Sequence, residues 1–414
     1  MEYKKLSEVA EIRLSSVDKK IKETEKNVKL CNFTDVYYNF DLDFNDSLKF
    51  MDATANDNEI IKFKLKKDDV VITKDSETRD DIGMACHIKD DLENTLLGYH
   101  CALIRPKDVD GGYLNICLQS KLCRNYFSNQ ASGSGQRYTL TEKGIGDVKI
   151  PMVSIEMQKK ISNLIGNINS KIRVNNRIND NLEQQTKLLY DYWFTQFDFP
   201  NEEGKPYRTS GGKMIWNEVL KRDIPADWSV VPFLDIVSWE SNSQPPKSEF
   251  VYEPKEGYVR FIQNRDYDSD THKTYIPLTK NLSIVDRYDI LMDKYGDAGA
   301  VRYGIEGAFN VALGKIAVHN PNYREYVRSF LESEGIYNYL HNSCMASTRA
   351  SLSEANLSML NIVIPSEHIV LKYEKMLKKI RDAILQNNDE TTRLIELRDW
   401  LLPMLMNGQA TIAD

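Results

Sequence analysis

A chain of 414 residues with 41% hydrophobic residues, 28% charged residues and a formal net charge of −7 is long for one core, so two or more domains are expected. The acidic balance excludes a uniformly basic nucleic-acid coat but leaves room for local basic faces. The six cysteines are scattered without a Cys-x-x-Cys pair, no apolar run approaches membrane length, and the start MEYKKLSEVAEIR is no signal peptide, so a cytoplasmic protein without a disulfide framework is expected.

Residues 1–153 read as a first mixed α/β domain. Residues 4–12 form a short amphipathic entry segment. The run Asp69-Val70-Val71-Ile72 clusters β-branched side chains and predicts a strand. Residues 99–104 and 113–118 predict further strands, with Gly111-Gly112 as the turn between them. Residues 118–130 (LQSKLCRNYFSNQ) predict a short helix. A small-residue loop, Ala131-Ser132-Gly133-Ser134-Gly135, then leads to Gln136-Arg137-Tyr138. Residues 148–151 predict a last strand, ended by Pro151, and Ser154 is a candidate N-cap for a long helix.

Residues 154–198 predict this first long helix. Stepping by four then three from Ile161 gives Ile165, Ile168, Ile172, Asn175, Asn179, Leu182, Thr186, Leu189 and Trp193, a seam that is apolar at both ends and polar in the middle. A connector, residues 199–232, is expected to wrap rather than dangle, because Trp216, Ile224 and Trp228 need burial. Residues 233–365 predict a second mixed domain, residues 366–406 a second long helix and residues 407–414 a tail. The second helix carries the same seam: Tyr373, Leu377, Ile380, Ile384, Asn387, Thr391, Leu394, Arg398, Leu401 and Leu405. The offset between the seams is 212 throughout, from Ile161 to Tyr373 and from Trp193 to Leu405. Two long helices with matching seams most simply pack on each other, with polar residues fixing register at some cost in stability.

The mixed regions also repeat. The strand at Asp69-Val70-Val71-Ile72 matches Asp289-Ile290-Leu291-Met292. Arg137-Tyr138-Thr139-Leu140-Thr141 matches Arg349-Ala350-Ser351-Leu352-Ser353, and residues 148–151 match 362–365. A duplicated unit of domain plus helix is the main organisational reading.

These repeats, with the stretch LEQQTKLLYDYWFTQFDFPNEEGKPYRTSGGKMIWNEVLKRDIPADWSVV at 182–231 and LRDWLLPMLMNGQATI at 397–412, resemble the specificity subunit of type I restriction-modification enzymes over essentially the whole length. The resemblance implies an α+β fold of two mixed α/β target-recognition domains, separated by two long helices packed as an antiparallel coiled coil, with an internal pseudo-twofold repeat. It implies a DNA-binding, non-catalytic subunit that reads a bipartite, asymmetric target in double-stranded DNA. Two modification (methyltransferase) subunits would dock on it and hold S-adenosylmethionine. Restriction (motor-nuclease) subunits using ATP and Mg would join for cleavage. The residues agree on one further point. No phosphate-cradling glycine loop, no Asn-Pro-Pro-Tyr-like quartet and no His-x-x-x-His spacing is present, so no catalytic, cofactor or metal site is expected in this chain. A coiled-coil scaffold that binds only protein is the rival reading, and a self-sufficient methyltransferase a weaker third.

Base reading needs Arg, Lys, Asn or Gln on loops, and phosphate contact needs cations, hydroxyls and free amides. The candidates in the first domain are Lys74, Arg79, Ser134, Gln136, Arg137 and Tyr138. In the second they are Asn264, Arg265, Lys294, Tyr295, Arg302, Thr348 and Arg349. Each basic residue has an alternative role, paired with a carboxylate or simply solvated. Candidates for partner docking are Tyr192 and Phe194 at the end of the first helix and Trp400 and Leu402 at the end of the second, since a two-helix seam cannot cover all the aromatic and aliphatic residues there. If residues 155–197 were helical throughout, the rod would be roughly 64 Å long. An unread DNA gap of about half a turn to one turn is then expected.

Overall fold

The structure, a computed structural model, describes residues 2–133, 137–268, 272–345, 351–406 and 412. It divides into two units, residues 1–175 with 389–414 and residues 176–388. Each contains one mixed region and a part of each long helix.

The first unit is built on a five-stranded sheet in the order Ala10–Leu14, Cys101–Pro106, Val70–Thr73, Ala85–Ile88, Asp41–Leu42. Val70, Val71 and Ile72 are fully buried, because this strand is covered on both faces. A second sheet joins Met51–Ala55, Lys26–Cys31 and Thr95–Leu97. Glu2–Lys5 pairs antiparallel with Lys149–Met152, so Pro151 lies within that strand instead of ending it. One prediction fails outright. Residues 113–118 are not a strand but lie in the helix Gly111–Gln119, whose N-cap Asp110 accepts from the Tyr113 amide at 2.9 Å. Every residue from Gly111 to Leu118 is buried, so the helix has no polar face and its short apolar run looks like a strand. Gly111-Gly112 is its first turn and not a hairpin. A Cβ on Gly111 would lie 2.2 Å from the Asp68 carbonyl oxygen, and one on Gly112 would lie 2.1 Å from Ser162 Oγ, so glycine is required here for close approach. The other predicted helix is present as Lys121–Gln130.

The second unit repeats the central plan. One of its two four-stranded sheets runs Val237–Glu240, Leu313–Val318, Ile290–Asp293, Val301–Arg302. The registers correspond: Cys101 faces Thr73 in the first unit, and Leu313 faces Asp293 in the second. Ser229–Pro232 pairs with Asn361–Ile364, matching the strand pair before the helix in the first unit. The connector wraps as expected at Ile224 and Trp228, which are buried against Phe194, Phe197 and Phe199. Trp216 departs from that expectation. It sits on the hairpin Met214–Asn217/Arg222–Pro225 and is 56% exposed, with its indole N–H donated to Glu218.

The first long helix is α-helical over Ile155–Tyr190 and the second over Glu367–Met406. Ser154 caps the first, its hydroxyl accepting from the Met157 amide at 3.3 Å. The helix is shorter than the sequence suggests. A π-helical turn over Asp191–Thr195 follows Tyr190, and Phe197 takes a left-handed φ of +64° that ends it. The 36 α-helical residues span roughly 54 Å at 1.5 Å per residue. Within the first unit the helices pair through Asn175 Nδ2, which donates to Glu390 at 2.8 Å, and Arg398, which donates to Asn169 at 3.1 Å. Within the second, Asn179 donates to Asn388 and accepts from Asn387, both at 2.8 Å, and the Trp193 and Tyr373 rings meet at 5.7 Å. In both units residue number rises along one helix as it falls along the other, so the pairing is antiparallel. No residue of either seam is exposed.

Each unit also fastens its mixed region to a helix through an arginine. Arg173 of the first helix pairs with Asp41, Asp43 and Asp46 in the first unit. Arg381 of the second pairs with Glu325 and Glu332 in the second unit.

Candidate nucleic-acid interface

In each unit a lysine directly follows the central strand, and the loops picked out by sequence converge on it. The Lys74 amide donates to the His100 carbonyl at 2.9 Å, and the Lys74 carbonyl accepts from the Leu140 amide at 2.8 Å. The Lys294 amide donates to Ala312 at 2.8 Å, and its carbonyl accepts from Leu352 at 2.9 Å. Leu140 and Leu352 are the repeat-equivalent residues three positions beyond Arg137 and Arg349. The strand-end loop and the Arg-containing loop are therefore stitched together in the same way twice.

The side chains are less free than the sequence implies. Lys74 is only 6% exposed. Its ammonium lies 3.2 Å from Asp75 and 4.3 Å above the Tyr99 ring, so it is neither a solvated lysine nor an outward DNA donor. Asp75 also accepts from His100 Nδ1 at 2.9 Å and from Thr139 Oγ1 at 2.8 Å. Burial pushes the Asp75 carboxyl up, but His100, Thr139 and Lys74 outweigh it and hold the carboxyl below its ordinary value. Arg79 is exposed and lies 5.1 Å over the Tyr138 ring, which joins two of the predicted residues. Arg137 is exposed nearby. Ser134 and Gln136 lie outside the described residues.

In the second unit Lys294 donates to Ser241 Oγ at 3.0 Å and lies 5.5 Å from the Trp239 ring, and burial lowers its pKa. Asn264 and Arg302 meet on the buried Asp293 carboxylate, at 2.8 Å from Asn264 Nδ2 and 2.8 Å from Arg302 Nη2. Both partly buried side chains are thereby engaged inside the unit. Burial raises the Asp293 pKa against the opposing pull of Arg302. Arg265 and the half-exposed Tyr295 face solvent. Gly296 and Gly299, at φ +74° and +96°, make the tight turn after Tyr295. Thr348 and Arg349 lie outside the described residues.

At the helix ends, Phe194 is also corrected. It is 3% exposed, with ring contacts to Tyr326 at 4.6 Å, Tyr373 at 4.9 Å and Trp228 at 5.9 Å, all in the second unit. It anchors the chain's own connector. Leu402 is partly buried against the first unit's core, whereas Tyr192 and Trp400 are 39% and 59% exposed. Sequence reasoning missed Leu188, which is 68% exposed and is the repeat counterpart of Trp400 at the same offset of 212. It also missed Asp75, His100, Trp239 and Ser241. The Tyr99-His100 pair on a loop before a strand was the available signal for the first two. Among the described residues no group of His, Cys, Asp or Glu is placed to hold a metal ion, and no helix is long and apolar enough to cross a membrane.

Comparison with known proteins places this geometry. The family described as the type I restriction modification DNA specificity domain matches residues 1–184 and 225–397. The chain is 26% identical to the type I restriction enzyme MjaIX specificity subunit of Methanocaldococcus jannaschii over 75% of this chain and 72% of that one. It is 24% identical to the HindI specificity subunit of Haemophilus influenzae over 84% of this chain and 88% of that one. Its fold is similar to the crystal structure of the type I restriction-modification S subunit from M. genitalium, with TM-score 0.61 and 13% identity, covering 98% of this chain and 95% of that one.

Proposed function

The chain belongs to the type I restriction-modification DNA specificity family, and on that premise we propose that it is the targeting subunit of a multi-subunit DNA methyltransferase. Each unit reads one half of a bipartite, asymmetric sequence in double-stranded DNA. The observation that carries the reading is the doubled arrangement around Lys74 and Lys294: equivalent loops, at equivalent sheet ends, bearing different side chains. Equivalent placement suits two half-sites, and different side chains suit an asymmetric target. Two modification subunits bring S-adenosylmethionine and the methyl transfer. A motor-nuclease subunit, where one joins, brings ATP, Mg and cleavage. The repeat-equivalent exposed residues Leu188 and Trp400 support docking of two copies of one partner.

Methylation mapping tests this reading. DNA from cells expressing the modification subunits, with and without this chain, should carry methylation at a split motif only when the chain is present. Methylation that is unsplit, or independent of the chain, would favour the protein-only scaffold.

A further inference from the structure

We propose that a cleft beside Lys74 in the first unit is a base-reading site, and that His100 is its specificity-determining side chain, accepting a hydrogen bond from the exocyclic amino group of an adenine or cytosine. The inference rests on the reading of this chain as a DNA-targeting subunit and names a reader that its loop arginines do not supply.

The cleft has a volume of about 600 Å³, and Arg137 stands among its lining residues. One wall is the short helix Phe33–Tyr37, whose N-cap Asn32 donates its amide to Asp35 at 2.7 Å. Phe33 and Tyr37 stack at 5.4 Å, and the Tyr38 ring meets Tyr37 edge-on at 4.8 Å. Tyr99 forms another part of the lining. Tyr38 and Tyr99 are 77% and 50% exposed, an unusual placement for large aromatic side chains. Such rings supply apolar contact for base edges and thymine methyl groups.

His100, in the lining of the cleft, is held from two sides. Its Nδ1 lies 2.9 Å from the Asp75 carboxylate, and its ring packs edge-on against Tyr99 at 5.0 Å. In the tautomer that donates Nδ1–H to Asp75, the ring presents its lone pair at Nε2. Nε2 has no hydrogen-bond partner among the described residues. Because Lys74 and Thr139 also bond Asp75, the carboxylate is fixed and compensated, and with it the orientation of the ring. The rest of the cleft selects the ligand. Asp18, Glu77 and Asp81 line it against Lys19 and Arg137, a balance that disfavours phosphate. An acceptor nitrogen flanked by carboxylates and aromatic faces suits a neutral donor. In the major groove only adenine N6 and cytosine N4 present one.

The test uses the full chain assembled with its modification subunits on a library randomised across the first half-site. His100→Phe keeps the ring against Tyr99 and removes both nitrogens. It should relax the preference for adenine or cytosine at one position by about tenfold, the cost of a typical mismatched pair. The second half-site should not change. His100→Gln, which presents both an acceptor and a donor, should extend the preference at that same position to guanine or thymine. It serves alone if the phenylalanine variant does not assemble. Unchanged preferences throughout the first half-site in an active variant would overturn the proposal. So would loss of modification-subunit binding by both variants in a folded chain, which would make the cleft a protein-docking site. Failure of the unsubstituted assembly to methylate any split motif would instead defeat the parent reading.

Discussion

Replacing Arg381 with methionine should remove about 3 kcal/mol from the stability of the second unit. Arg381 is 1% exposed, and its guanidinium makes three bonds: Nε to Glu325 at 3.1 Å, Nη2 to Glu332 at 2.9 Å and Nη1 to the Tyr303 hydroxyl at 3.0 Å. It also stacks on the Tyr303 ring at 4.7 Å. Removing it strands the Glu325 carboxylate, 5% exposed, with only Arg328 left at 3.4 Å. Breaking one partner out of a buried ion pair costs roughly 3–5 kcal/mol, because a charge stays buried without its counterion. Two effects offset part of this loss: methionine buries apolar surface, and Arg328, itself fully buried, is relieved of a like charge. The low end of the range is therefore expected. Arg381→Lys should recover little, since one ammonium cannot reproduce three divergent guanidinium bonds. Tryptophan fluorescence during urea unfolding reads the second unit well, because Trp193, Trp216, Trp228 and Trp239 lie within 176–388 and only Trp400 lies outside it. An Arg381→Met transition within about 0.5 kcal/mol of the parent, the range of an ordinary surface substitution, would refute this reasoning.

Asn179→Ala removes two inter-helix hydrogen bonds and should cost about 1–3 kcal/mol in thermal unfolding, whereas Asn179→Leu with Asn387→Leu should recover that stability while loosening helix register. Glu374 is pushed up to about 8, chiefly by burial and against the hydrogen bond it accepts from the Tyr326 amide. A carboxyl whose folded pKa is raised contributes stability that is full below the unfolded value and is lost as pH climbs toward the folded value. Stability of the second unit should thus fall between about pH 4.5 and 8, and Glu374→Gln should flatten that fall by on the order of 5 kcal/mol in pH-dependent denaturation. Phe194→Glu should prevent folding of the second unit, measurable as loss of soluble chain. Leu188→Glu and Trp400→Glu should leave circular dichroism unchanged and abolish modification-subunit assembly in mass photometry; retained assembly would remove these residues from the docking surface.

The helix pair was legible because its signal is long and periodic: two seams recur at one offset. The central strands were legible for a related reason, since Val70-Val71-Ile72 and Ile290-Leu291-Met292 are β-branched or bulky runs bounded by Asp. Gly111–Gln119 was not legible. A wholly buried helix loses the polar face that distinguishes it from a strand, although Asp110 offered a capping signal. At the candidate site the loops were found but the state of their side chains was not. Whether Asn264 or Arg302 faces outward depends on Asp293, which the fold brings close to both, and although Asp75 is the sequence neighbour of Lys74, its partners His100 and Thr139 arrive from distant segments. Phe194 and Tyr192 sit two residues apart on one turn. Only the packing of Trp228, Tyr326 and Tyr373 decides that one is core and the other surface.

The most direct measurement of the central claim is an exchange of residues 1–153 for the matching segment of a relative with a different target, followed by methylation mapping of the reassembled enzyme. The account predicts that one half of the split motif changes to the donor's, while the other half is retained. Change in both halves, or in neither, by an active hybrid enzyme would contradict the assignment of one half-site to each unit.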